Sequence, residues 1–190
     1  MNALLTELGN VQTLPQLFAW RVARTPNAEA YRAFDDTRQL WVSLTWVQAQ
    51  QRVGLWTRAL AELALPSGAR VAILLPNGLD AMCIDQATLA LGQVPVPLHA
   101  VDNPASIGYI LADCQASLLL VDDLAQWQRI AALGTALPER RTVIVTAPDA
   151  ASDPSAAVPV LALAEWLAQA RQCSLMQTPP SAVDLAAIVY

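Results

Sequence analysis

His99 is the only histidine of the chain. It follows the apolar run VPVPL, Val94 to Leu98, which reads as a strand. Imidazole titrates near neutral pH, so it can move a proton or hold a polar substrate group. The carboxyl end of a strand is also where open α/β sheets place their ligand crevices. No Ser or Cys in a recognisable nucleophile elbow accompanies it, so a catalytic triad has no basis. His99 is a candidate for lining a pocket, against the plainer reading of a surface histidine.

Asp122 and Asp123 follow the apolar run LLLV. Adjacent carboxylates can share a proton or bind a metal. Here they read instead as a strand end and the cap of a helix beginning at Leu124. Cys83, Cys114 and Cys173 are odd in number and far apart. Neither a disulfide framework nor a zinc site fits that spacing. They have no His or basic neighbour to lower a thiol pKa, so they read as buried thiols. The seven glycines form neither GxGxxG nor GxxxxGK[ST], and no phosphate-binding loop is assigned. Gly78 comes nearest, in a turn between strand and helix. All 11 basic residues are arginine, and lysine is absent. Chemistry that needs an ammonium group is therefore closed to these residues. No catalytic, cofactor-binding or metal-ligating residue is assigned.

The elements that would position these residues are legible in the periodicity. Leu14, Phe18 and Val22 recur every four residues, with Thr13 as N-cap and Pro15 in the first turn, so a helix is expected over Leu14 to Arg24. AYRAF and LWVS read as two short strands joined by a turn. A helix from about Thr45 places Trp46, Ala49, Val53, Trp56, Leu60 and Leu63 on one face. Pro66 and Gly68 stop it. The six tryptophans are spread out, and no aromatic platform is implied.

An alternation then begins. VAILL is a strand, PNG a turn, and Leu79 to Leu91 a helix apolar almost all round. VPVPL is the next strand, followed by a helix capped by Asn103. LLLV, a helix over Leu124 to Leu133, and TVIVT continue the series. A Pro-rich loop, a helix over Val160 to Gln172 and a buried strand over Leu185 to Tyr190 complete it. Apolar strands alternating with helices predict an α/β fold, a mostly parallel sheet flanked by helices. Pro95 and Pro97 are two apart, so both missing N–H donors fall on one side of their strand, which should be unpaired or loosely paired. The chain divides into leading helices and a short hairpin over 1–66 and an alternating β/α part over 67–190.

The chain has 190 residues, 55 % hydrophobic, with net charge −5. That supports a sizeable core and excludes disorder. Without a basic patch, nucleic-acid binding is not expected. No apolar run reaches the length of a membrane span. The N-terminus lacks the pattern of a secretory signal, so the expected location is cytoplasmic.

The order of short motifs goes further. LTWVQAQQRV resembles the early helix-start motif of the adenylate-forming synthetases. GARVAILLPNGLDAM resembles their GDRVALLLPN segment. The stretch from Leu89 to Asp123 resembles their "GAVPVPL … YIL.D … LLVDD" block. Trp46 and VPVPL lean toward the long-chain fatty acyl-CoA ligases. The resemblance covers about Leu14 to Tyr190 and implies the N-terminal part of that family's large domain. It implies ATP, Mg²⁺ and coenzyme A as cofactors and co-substrates, a fatty acid as substrate, and the remainder of the same chain as partner. It also implies that His99, Ala100 and Val101 form one wall of the acyl pocket. In that family a strand like DLAAIVY leads into a TSGTTGxPKG-type loop that holds ATP phosphates. Tyr190 would directly precede that loop, so the sequence reads as a truncated fragment, inactive alone. A cut there predicts exposed apolar surface at the final strand and at the helix Leu79 to Leu91, with self-association to hide it. The alternatives are part of an amino-acid adenylation domain, or a non-catalytic Rossmann-like binding module.

Overall fold

The computed structural model describes residues 8–35, 38–99, 101–134, 142–170 and 180–190. Ala100 and Cys173 lie outside them. The leading part is helix α1 (Leu14–Arg24), an antiparallel hairpin of β1 (Glu29–Asp35) and β2 (Leu40–Thr45), and helix α2 (Trp46–Glu62). Both helices open with a capping box. Thr13 Oγ1 accepts from Gln16 N–H at 3.3 Å, and Thr45 Oγ1 accepts from Gln48 N–H at 3.4 Å. In each box the glutamine side chain accepts from the cap residue's own N–H, so two otherwise orphaned donors are met.

The rest alternates as β3 (Arg70–Leu74), α3 (Leu79–Ala90), β4 (Val94–Pro97), α4 (Pro104–Asp113), β5 (Leu118–Val121), α5 (Leu124–Ala131), β6 (Thr142–Val145), β7 (Val160–Ala162) and α6 (Leu163–Gln169). The five later strands form one parallel sheet in the order β4-β3-β5-β6-β7. Strand periodicity sorts its side chains onto two faces. Val71, Ile73, Leu118, Leu120 and Ile144 meet Val53, Trp56 and Leu60 of α2, Cys83, Ile84 and Ala87 of α3, and Trp166 of α6. Ala72, Leu74, Leu119, Val121, Val143 and Val145 face the opposite way, against Ile107 and Leu111 of α4 and Trp127 and Ile130 of α5. Burial on both faces is why these strands read as unbroken apolar runs. Two caps follow the sequence reading: Asn103 accepts from Ser106 N–H at 2.9 Å, and Asp123 accepts from Gln126 N–H at 2.7 Å.

Three expectations need correction. Val160 to Gln172 is not one helix: Val160–Ala162 is strand β7, and α6 follows it. Parallel pairing with Val143 to Val145 and burial of Val160 and Ala162 override a helical local pattern. Leu185 to Tyr190 is neither a ladder strand nor buried. The residues lie beside β4 with one backbone bond, Ile188 N–H to Pro95 C=O at 3.2 Å. Val94 N–H donates to Ala69, just before β3, and Leu98 N–H to Ile73 of β3, so the prolines face outward and offer this segment no N–H. The loosely paired side inferred from VPVPL is therefore this outer edge. Along the segment Val183, Leu185, Val189 and Tyr190 stand exposed. Helix Leu79–Ala90, by contrast, is not bare. Cys83, Ile84, Ala87, Thr88 and Leu89 are buried, with α1 and α2 packed against it together with β3 and β4.

Trp56 holds the first face together. It is 1 % exposed and meets Trp166 edge to face, ring centroids 5.7 Å apart. Trp56→Ala removes that ring from a packed interior, and the expected cost is about 3–5 kcal/mol in urea unfolding. Asn103→Ala removes only a cap and should cost about 1 kcal/mol.

Candidate functional site

The direction of travel in the sheet changes at β3. The chain steps from β3 outward to β4, then returns to add β5 on the other side. Loops diverge at such a switch point and leave a crevice beyond the carboxyl ends of the strands. The structure has a cleft there of about 760 Å³. Its floor is Leu75 to Gly78 after β3, Asp122 after β5 and Thr146 after β6. One wall is the start of α3, and another is the hairpin, through Tyr31, Arg32, Phe34 and Trp41.

The hairpin is held over the sheet by Trp46. Its ring lies 5.9 Å from Phe18 of α1 and 5.8 Å from Tyr31 of β1, with the Arg21 guanidinium 5.3 Å from its centroid. One tryptophan thus ties α1, β1 and α2 together by aromatic and cation–π contact. Farther out, Phe34 and Trp41 meet edge to face at 5.6 Å across the hairpin, 44 % and 63 % exposed.

Both arginines that line the cleft are paired. Arg52 Nη2 donates to Asp80 Oδ1 at 3.0 Å. Arg32 makes an ion pair with Glu29 at 3.0 Å, and Ser43 also donates to that carboxylate. Both bonds hold the Glu29 carboxyl below its ordinary pKa, the Ser43 bond most strongly. Thr146 Oγ1 donates to Asp122 Oδ1 at 3.3 Å, and Ala147 N–H donates to the Asp122 carbonyl at 2.8 Å. These bonds stitch the ends of β5 and β6 together. So Asp123 caps α5, while Asp122 locks two strand ends.

Of the sequence-predicted pocket residues, His99 and Val101 lie at the same end of the sheet but just beyond its edge strand β4, and Ala100 lies outside the described residues. His99 is exposed and its carbonyl accepts from Asp102 N–H at 3.0 Å. Val101 is 93 % exposed. Neither lines the cleft over β3, β5 and β6. Sequence reasoning passed over Trp41, Arg52, Asn77 and Thr146. The available signal was position: PNG, DD and the Thr of TVIVT each follow an apolar strand.

The resemblance implies Mg²⁺ for the whole protein, held in part by the phosphates of ATP. Among the described residues no three His, Cys, Asp or Glu side chains gather where one ion could bind. Asp122 is already held by Thr146. Nor is a helix of the described residues long and apolar enough to cross a membrane.

A parallel sheet covered on both faces, with a cleft at its switch point, defines an open doubly wound α/β unit. The chain belongs to the AMP-binding enzyme family, whose pattern it matches over residues 18–190. It is 32 % identical over 158 residues to sulfoacetate–CoA ligase of Cupriavidus necator, covering 82 % of this chain and 29 % of that protein. It is 25 % identical over 105 residues to long-chain-fatty-acid–CoA ligase FadD15 of Mycobacterium tuberculosis, covering 55 % of this chain and 18 % of that one. The chain thus spans less than a third of the length of either relative. Among solved structures, the A-PCP didomain of the carboxylic acid reductase from Segniliparus rugosus superposes with a TM-score of 0.72 at 16 % identity, over 93 % of this chain and 29 % of that one. The anthranilate–CoA ligase AuaEII superposes with a TM-score of 0.71 at 18 % identity, over 92 % and 30 %. These likenesses establish the adenylate-forming fold.

Cys83 lies beneath the cleft, fully buried, and burial pushes its thiol up to about 12 despite the nearby Arg52. Only the thiolate is nucleophilic. In the folded protein at pH 8, Cys83 is expected to resist a disulfide reagent. It should react once the chain is unfolded in guanidinium, as read by peptide mapping.

Proposed function

We propose that the protein carrying this chain is an acid–thiol ligase that activates a fatty acid. The carboxylate oxygen attacks the α-phosphorus of ATP and pyrophosphate leaves, giving an acyl-adenylate. The thiol of coenzyme A then attacks the acyl carbon, loses its proton and expels AMP, giving the thioester. The observation that carries this reading is the family match over residues 18–190. Fatty-acid choice is supported by VPVPL, by the helix start with Trp46, and by the likeness to FadD15.

On this reading the 190 residues serve as scaffold. They supply the sheet, the loops at its carboxyl ends and, through His99, Ala100 and Val101, one wall of the acyl pocket. Adenylation needs cationic groups and backbone donors around the phosphates. This sequence has no lysine and no glycine-rich phosphate loop, and the cleft arginines are engaged by Asp80 and Glu29. The chain alone is therefore inert. A second reading, amino-acid adenylation, is favoured by 28 % identity over 125 residues to tyrocidine synthase 3 of Brevibacillus parabrevis.

ATP–pyrophosphate exchange separates these readings. The complete protein should exchange with fatty acids and not with amino acids, and the isolated chain with neither. Exchange driven by an amino acid would replace the fatty-acid reading, and exchange by the isolated chain would end the scaffold reading. In the complete enzyme, His99→Ala should raise the fatty-acid KM or shift chain-length preference. If both stay unchanged, the pocket assignment fails.

A further inference from the structure

The late segment approaches the sheet along an edge that cannot hold it by ladder pairing. Ser181 N–H donates to Asp184 Oδ2 at 2.7 Å, and Asp184 N–H to the Ser181 carbonyl at 3.2 Å, so its first turn is tied to itself. Ile188 is half-buried on the face of Val96, Leu98 and Ile107, and its N–H reaches the Pro95 carbonyl at 3.2 Å. A ladder draws on donors from both strands, and Pro95 and Pro97 have no N–H to return. The end of the segment therefore needs another anchor.

Tyr190 supplies it. Its Oη donates to Asp113 Oδ2 at 2.5 Å, and that bond pushes the phenol up to about 12, so the donor keeps its proton. Asp113 is the last residue of α4 and stands exposed. The carboxyl end of a helix disfavours negative charge. The last turn of α4 has no basic residue, and no ion pair engages Asp113 among the described residues. For the helix by itself a neutral acceptor would serve at least as well. What the carboxylate adds is a shorter and stronger bond to the phenol.

We infer that Asp113 is a positioning residue: through Tyr190 it fixes where the chain leaves the edge of β4. The inference rests on the ligase reading above, in which the loop that holds the ATP phosphates begins directly after Tyr190. Such a loop meets phosphate oxygens with backbone N–H groups. A misplacement of about 1 Å at its start is enough to spoil that alignment. Ile188 sets the distance of the chain from the sheet, and the bond to Asp113 sets its position along the edge. Asp113 itself touches no phosphate; it acts on ATP through Tyr190 alone.

The test is steady-state ATP–pyrophosphate exchange by the complete protein, with octanoate and hexadecanoate as acids, alongside the melting temperature. Tyr190→Phe and Asp113→Leu should each raise the KM for ATP about tenfold, the factor that goes with one lost hydrogen bond, and leave the KM for the acid unchanged. The double variant should be no worse than either single one, since both remove the same bond. Asp113→Asn keeps an acceptor and should hold the KM for ATP near that of the unaltered protein. A bond that merely held the fold together would lower the melting temperature and the active fraction, with both KM values unmoved. That result would overturn the inference. So would additive losses in the double variant, or an Asp113→Asn protein as impaired as Asp113→Leu. Absence of exchange by the unaltered complete protein would overturn the ligase reading and the inference with it.

Discussion

Everything in this molecule is referred to β3. It is paired on both edges and covered on both faces, with Val71, Ala72 and Leu74 wholly buried. Its backbone donors and acceptors can be met only by neighbouring strands. Its alternate side chains must be met by helices on each side. Those two demands bring β4 and β5 to opposite edges of β3, and α2 with α3 to one face and α4 with α5 to the other. The switch-point cleft is a consequence of that arrangement. Where strands diverge from a shared centre, loops at their carboxyl ends cannot close over it.

The hairpin is a separate small sheet and would be marginal alone. Trp46 gives it a fixed place. As first residue of α2 it sits against Phe18, Tyr31 and Arg21, so the hairpin is held where α2 begins, and α2 is held by Trp56 in the core. Position in the cleft thereby passes from the interior outward through one helix. The ion pair Arg52–Asp80 then spans α2 and α3 at the rim. With side chains 42 % and 36 % exposed, it aligns the two helices more than it stabilises them.

The sheet's edges are handled differently. At β7, Asp153 bridges to Val160 and the preceding loop occupies the edge. At β4, the prolines remove outward donors and leave carbonyls alone. Pro95 takes Ile188, and Tyr190 Oη donates to Asp113 Oδ2 at 2.5 Å, a bond that pushes the phenol up to about 12. The last residues therefore lie along the sheet without joining its ladder.

Sequence alone determined the alternating α/β pattern, most helix bounds, the caps at Thr13, Asn103 and Asp123, and the motif order that marks the family. These are local properties: periodicity, side-chain-to-backbone reach within three residues, and short words in series. Tertiary structure decided what depends on distant partners. Val160 to Ala162 became a strand because β6 offered an edge. Leu185 to Tyr190 did not become one because β4 offered only carbonyls. Asp122 and Thr146, 24 residues apart, met because β5 and β6 are neighbours. Phe34 and Trp41 became a cleft wall because Trp46 fixed their hairpin. Gln93 read as an ordinary polar residue between a turn and a strand. Only the helices and chain folded around it made its amide buried and without a partner among the described residues, because burial belongs to the whole fold rather than to any stretch of sequence.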